Sequence, residues 1–307
     1  MSARTHRMDW LLFFGLGLMW GSSYLFIKFA VDDFGTFTLV ALRLVVGALL
    51  LWTVVRIAGQ ALPRERRMYG HLFVMAVVNI TIPFLLITWA EQSVESSLAA
   101  ILTSPVPLFA IVLSSIFLYD EPMRLNGVAG LIVGFIGVVI ITSRGLTGQG
   151  SSVAGELALL GAAFSYACGA VYSRRNVRGL APMIPAVFQV TFAALITGVL
   201  ALTFEHPWTA TPDPQAIFSI LWLGLLGSGL AYLVVFRLFS HWGATRTTTV
   251  AYVIPPVGIV LGFLALDEPV DGRVIFGTAL VIAGIGLVNG RFGRRRLFGR
   301  VPPIEAV

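Results

Sequence analysis

Charge is what this sequence has least of. Only 12% of its 307 residues are Asp, Glu, Lys or Arg, about half the ~25% typical of soluble domains, so a soluble globular fold is excluded. Cysteine is nearly missing: Cys168 stands alone, and no disulfide framework can form. Histidine is confined to His6, His71, His206 and His241, all at the ends of apolar stretches or between them. No metal-ligand spacing, phosphate-cradling loop or nucleophile with a nearby base stands out. The histidine nearest to Ser228 in "LGSGL" is thirteen residues along, about 20 Å by helical rise. Enzyme chemistry, a metal and a cofactor are therefore not expected. Period-2 alternation is lacking as well: Leu49, Leu50, Leu51 and Val138, Val139, Ile140, Ile141 run on without polar gaps. That excludes a lipid-facing β-barrel.

What is present is apolar length. With 57% hydrophobic residues and a mean hydropathy of +0.88, the chain divides into ten apolar stretches, about 9–31, 34–57, 69–90, 94–118, 124–142, 153–173, 182–203, 214–237, 244–266 and 272–290. Each has about the 20 residues that carry a helix across a hydrocarbon core of roughly 30 Å. The expected fold is an all-α integral membrane protein with ten transmembrane helices. The first stretch outruns the apolar part of a signal peptide and meets no small-residue cleavage site, so it reads as a retained span. Of the 21 basic residues, 17 fall on one side when the spans are counted alternately; only Arg144 and Arg273 fall opposite, and Lys28 and Arg43 lie within spans. The positive-inside rule then puts both termini in the cytoplasm. The net charge of +6 thus reads as topology, not as a nucleic-acid footprint, with the tail "RFGRRRLFGR" as an anchor beside the bilayer.

Self-similarity is the most informative feature. "YDEPMRLNGVAGLIVGFIG" from Tyr119 matches "LDEPVDGRVIFGTALVIAG" from Leu266 without a gap. An offset of 147 residues carries Asp120, Glu121, Pro122, Gly130 and Gly137 onto Asp267, Glu268, Pro269, Gly277 and Gly284. Two five-helix units follow, 9–142 and 153–290, with a linker at 143–152 and a basic tail at 291–307. Because five is odd, the second unit enters the membrane from the opposite side. Such inverted repeats are the architecture of many transporters, with substrate held near the midplane between the halves. A non-transporting scaffold or receptor is the rival reading, and neither calls for an inverted repeat. The chain also resembles the EamA-type proteins of the drug/metabolite transporter superfamily, in "MWGSSYLFIK", "ALRLVVGALL", "ITWAEQSVESSLAAILTSPVPLFAIVLSSIFLYDEP" and "AAFSYACGAVYSRR", over about 9–290. The resemblance implies a multi-pass carrier of the bacterial inner membrane, commonly an exporter of amino acids or related metabolites.

Depth separates the embedded polar groups. Lys28, the sole lysine, counts to the outer surface at ~1.5 Å per residue. There it can snorkel and pair with Asp32 four residues on; the competing role is a gate at the outer mouth. Arg43 counts close to the midplane, where an arginine costs at least about 2.5 kcal/mol and points to function. The structural alternative binds it to helix carbonyls or to Asn79. No carboxylate counts to mid-depth: Glu91, Glu95, Glu156, Asp267 and Glu268 fall at outer ends, and Asp120 and Glu121 at an inner one. Arg43 is thereby expected to lack an acidic partner and to clamp a carboxylate-bearing small metabolite through its guanidinium fork. Trp20, Tyr24, Asn79, Ser104, Tyr166 and Tyr252 complete the expected substrate site, with core packing as the aromatics' alternative. Pro83, Pro105, Pro107, Pro255 and Pro256 each remove an intrahelical hydrogen bond, freeing carbonyls to line a cavity or only kinking the helix. Lys28, Glu91, Glu95 and Glu156 are the candidates for gating or for proton coupling at the outer mouth. Glycines such as Gly17, Gly21, Gly130 and Gly134 fit close helix approach, within the bundle or in a homodimer.

Overall fold

The computed structural model describes residues 3–118, 123–146, 152–177, 180–181, 183–242, 247–289 and 296–298. The Asp120, Glu121, Pro122 turn, half of the linker and most of the basic tail lie outside them. Helices dominate because hydrocarbon offers backbone groups no water, and a helix satisfies them internally. In chain order they are α1 (Ala3–Ala30), α2 (Thr36–Ile57), α3 (Arg66–Ala90), α4 (Ser96–Phe117), α5 (Leu125–Leu146), α6 (Val153–Asn176), α7 (Met183–Phe204), α8 (Pro214–Val235, continuing to Trp242), α9 (Thr249–Leu266) and α10 (Gly272–Asn289). Nine of the described helices are long and apolar enough to cross a membrane; α10 holds a shorter apolar run, Gly272–Val288. One short strand pair, Met123–Arg124 against Arg296–Phe298, ties the stretch before α5 to the tail.

Local chemistry sets the helix starts. Asp213 Oδ1 accepts from the Ala216 amide at 2.7 Å with Pro214 in the first turn, an N-cap that satisfies one of the orphan donors of α8. Ser152 does the same for α6 through the Gly155 amide. Glutamates cap two other helices from across the bundle. The Glu205 carboxylate accepts from the Phe37 and Thr38 amides of α2, and the Glu268 carboxylate from the Ser96 and Ser97 amides of α4 at 2.6 and 2.9 Å.

Each expected proline falls at a helix irregularity: Pro83 just after a π-helical segment, and Pro105, Pro107, Pro255 and Pro256 at the starts of helical segments, where a missing N–H costs little. In α3 the segment Val77–Thr81 is π-helical, so that Ile82 bonds back to the Val77 carbonyl. Pro83, having no N–H, then leaves the Val78 carbonyl unpaired. The hydroxyl of Ser165 on α6 donates to that carbonyl at 2.6 Å. In α8 the segment Leu223–Leu230 is π-helical as well, and a shift of 77–81 by 147 residues lands within it. The helix of α4 breaks between Leu102 and Val106 at Pro105, and α9 is entered through a 3₁₀ segment, Thr248–Tyr252, ahead of Pro255 and Pro256.

The repeats are related by an antiparallel exchange that can be read from single contacts. A Cβ on Gly130 would lie 2.5 Å from the Gly284 carbonyl oxygen, and one on Gly137 2.6 Å from that of Gly277. The first contact becomes the second when the two repeats trade places. As α5 advances, α10 recedes, so this pair runs antiparallel, and the two units are inverted relative to each other. The same holds for α1 with α8 and α3 with α6: Trp20 meets Gly227 while Ser22 meets Trp222, and Val78 meets Ser165 while His71 meets Tyr172. Gly17 and Gly21 lie against Val253 and Val257 of α9, and Gly134 against Leu108. The glycines flagged from the sequence thus make their close approaches within one chain.

Candidate functional site

Arg43 sits in the first half of α2 with 4% of its surface exposed. Its guanidinium carbon lies 4.4 Å from the centre of the Phe84 ring of α3, a cation–π stack. Among the described residues it makes no hydrogen bond or ion pair, and its Nε is buried without a partner. The expected alternative, a structural arginine held by helix carbonyls or Asn79, is not what is found. Asn79 instead donates to Gln189 Oε1 at 3.1 Å and fills the space above Gly169. Packing of α3 against α6 and α7 uses it up.

Around the guanidinium stand three phenols within electrostatic range, those of Tyr166, Tyr232 and Tyr24, together with the Glu91 carboxylate. The Tyr24 hydroxyl meets Thr103 Oγ1 at 2.5 Å, and since Thr103 donates to the Ala99 carbonyl at 2.7 Å, Tyr24 is the donor between them. That bond ties α1 to the break in α4. Trp20 donates its indole N–H to the Gly227 carbonyl in the π-helical segment of α8 at 3.3 Å, which supplies the partner that a buried indole needs. A Cβ on Gly227 would lie 3.4 Å from an Arg43 guanidinium nitrogen and 3.0 Å from Ser23 Oγ. The glycine therefore keeps open the space beside Arg43. Four helices, α1, α2, α3 and α8, converge here, with Tyr166 from α6.

Among the other expected residues, Ser104 and Lys28 bond elsewhere. Ser104 donates to the Ile101 carbonyl at 2.7 Å and serves the helix break rather than a ligand. Tyr252 packs half-buried against the core at the start of α9. Lys28 does not pair with Asp32. Its ammonium donates to the carbonyls of Glu91 and Val94 at 2.6 and 3.3 Å, because the end of α3 presents unpaired carbonyls within its reach, whereas Asp32 is exposed. With Gln92, Ser93, Val94, Glu95, Leu266 and Glu268, Lys28 lines a cavity of about 290 Å³ at the end of the bundle away from the chain termini, hereafter the distal end.

Glu91, expected at an outer end, lies at the distal end of the bundle but turns inward and is fully buried. Its charge is felt at both Lys28 and Arg43, so the expectation that no acid comes near Arg43 is corrected. Depth counted along a helix axis locates the Cα and misses the reach of the side chain. Phe84, Tyr232, Thr103 as a bonding partner and Gly227 were not singled out from sequence as site residues. The signal available for Phe84 was its place directly after Pro83, at the helix irregularity. Trp222, which donates to Ser22 Oγ at 3.0 Å, was missed as well.

The comparisons agree with this architecture. The profile of the EamA-like transporter family matches twice, at residues 8–143 and 153–290. The chain is 30% identical over 288 residues to the uncharacterized transporter YvbV of Bacillus subtilis, covering 91% of this chain and 90% of that one. It is 27% identical to the uncharacterized inner membrane transporter YedA of Escherichia coli K12, covering 88% and 89%. A solved crystal structure superposes with a TM-score of 0.67 at 21% identity, covering 94% of this chain and 99% of that one, a likeness of fold. The chain is a multi-pass membrane protein with transport as its general function, and it belongs to the EamA-like transporter family, within the drug/metabolite transporter superfamily.

Proposed function

We propose that this protein is a secondary transporter exporting amino acids or related small metabolites that bear a carboxylate, by alternating access between its two repeats. The observation that carries the reading is Arg43: a buried guanidinium stacked on Phe84, within electrostatic range of three phenols and, among the described residues, with no carboxylate or carbonyl bonded to it. A cation at that depth costs several kcal/mol unless something compensates it, and a substrate carboxylate supplies the bidentate acceptor that the fork lacks. Trp20 and Tyr24, fixed by bonds to Gly227 and Thr103, offer rigid aromatic walls.

Alternating access is supported by cross-repeat ties at both ends. Toward the termini, His241 of α8 bonds to the buried Asp9 of α1 at 3.1 Å, with the Arg237 guanidinium 3.7 Å away. At the distal end Glu205 and Glu268 of the second repeat cap α2 and α4 of the first. The Arg43 centre lies between these two sets of ties, so breaking one set at a time would expose it to one side at a time. Export, the bacterial inner membrane and cytoplasmic termini rest on the resemblance and on the charge asymmetry of the loops. Two glycine-lined faces are already used inside the chain, and a homodimer would use other surfaces.

The test is counterflow in proteoliposomes with labelled amino acids and organic acids, for wild type, Arg43→Lys and Arg43→Gln. The expected result is flux of at least one carboxylate, lowered about tenfold by Lys, which keeps the charge but loses the fork, and abolished by Gln. Wild-type flux in Arg43→Gln would overturn the reading.

A further inference from the structure

Glu91 is the residue that the substrate site does not absorb. It follows Ala90, the last residue of α3, is 0% exposed, and neither carboxylate oxygen has a hydrogen-bond partner. An ionised carboxylate in that position lacks the donors it needs; a neutral carboxyl suffers far less. The nearby ammonium does not supply them: Lys28 puts two of its three donors on the backbone carbonyls of Glu91 and Val94 and makes no bond to the carboxylate. Among the described residues no group of three or more His, Cys, Asp or Glu side chains stands here to hold a metal cation. What is left for this carboxyl to bind is a proton.

We propose that Glu91 is the proton-binding residue of this carrier, a carboxyl that stays neutral while the distal end is closed and ionises when that end opens to water. Its location suits the task. Through Lys28 it is joined to α1; its electrostatic neighbour Glu268 caps the first turn of α4 from the other repeat. Opening the distal end must part Glu268 from Ser96 and Ser97 and hydrate the cavity that Lys28 and Glu268 line.

The charged and titratable groups around Glu91 are Lys28 and Tyr24 of α1, Arg43 of α2 and Glu268 at the end of α9. Glu95 at the start of α4 and Glu156 at the start of α6 lie on the elements packed beside it, where Gly155 abuts Ala90 and Val94. Burial pushes the Glu91 carboxyl well above the usual carboxylate range; Lys28 pulls it down, Glu268 pushes it up, and Arg43 pulls it down. A carboxylate seated on Arg43 would cancel that last pull and favour the protonated form. Proton and anionic substrate would then bind together, each strengthening the other by the same factor. This sign rests on the Arg43 reading; the proton site itself does not.

The test is pH-difference infrared spectroscopy of the protein in liposomes, with no substrate added, for wild type, Glu91→Gln and Glu268→Gln. The expected result is a protonated-carboxyl C=O band in the wild type that titrates away at alkaline pH, is lost in Glu91→Gln and persists in Glu268→Gln. Glutamine is nearly isosteric, and circular dichroism of the same samples checks folding. No such band in the wild type, or an unchanged band in Glu91→Gln, would overturn the proposal. Failure of carboxylates to bind at Arg43 would leave this band in place, so the two readings fail separately.

Discussion

At the scale of the residue, two side chains hold energies out of proportion to their number. Glu91 makes stability depend on pH with a definite sign. Its folded-state carboxyl lies above the unfolded one, so the folded protein binds the extra proton. The stability this gives is full below the ordinary carboxylate range and is lost as pH rises through the folded value. The melting temperature of the wild type should therefore fall with rising pH above about 4.5, and Glu91→Gln should flatten that slope in a pH series of thermal scans. Lys28→Met should move the loss of the infrared carboxyl band to higher pH, because Lys28 favours the ionised form. Arg43 was legible from sequence as an embedded charge, but what it touches was not. A guanidinium extends several ångströms from its Cα, and whether it meets Asn79, Phe84 or Glu91 is decided by how α2 and α3 are turned and shifted against each other. The pairing of Lys28 with Asp32 fails for a related reason: the same-helix neighbour Asp32 is visible in sequence, and the unpaired carbonyls ending α3 are not.

At the scale of the element, the spans were legible because an apolar run of membrane length has few other fates, whereas the irregularities inside them were not. A proline announces a missing donor but not whether the helix answers with a π turn, as at Val77–Thr81, or with a full break, as between α4's halves. The rescue of the Val78 carbonyl by Ser165 comes from a different helix. Ser165→Ala should cost about 1 kcal/mol in reversible unfolding, the worth of one buried hydrogen bond. Glycines sort by what faces them. Gly284→Ala would drive a Cβ to within 2.5 Å of the Gly134 amide nitrogen, and because backbone cannot swing aside, about 1–3 kcal/mol of destabilisation is expected. Gly198→Ala meets nothing within 4 Å and should leave stability unchanged or raise it by up to about 1 kcal/mol. Thermal scans of the two variants side by side separate these outcomes.

At the scale of the whole molecule, the inverted repeat was the feature most legible in sequence, since an offset of 147 residues carries an Asp-Glu-Pro turn and two glycines together. The structure adds that those glycines meet one another across the antiparallel pair α5 and α10, so the motif marks the line on which the repeats join. It also adds the cross-repeat carboxylates. Glu268 belongs to the repeated turn, yet nothing in sequence connects it with Ser96 and Ser97 172 and 171 residues away. If that cap holds the distal end closed, a cysteine at Ser97, 2% exposed, should react slowly with an impermeant maleimide in a Cys168→Ser background and several times faster once Glu268→Gln is added. Equal rates would mean that the cap does not control access.

The central claim is that a buried, unpaired guanidinium receives a substrate carboxylate between the repeats. The most direct measurement is the thermal stability of purified wild type and Arg43→Gln against matched pairs of amino acids or organic acids and their amides. A ligand present at a hundred times its dissociation constant adds about 2.7 kcal/mol to the folded state. At least one acid is expected to raise the wild-type melting temperature, its amide to do so weakly or not at all, and Arg43→Gln to lose the effect. Equal stabilisation by acid and amide, retained in Arg43→Gln, would contradict it.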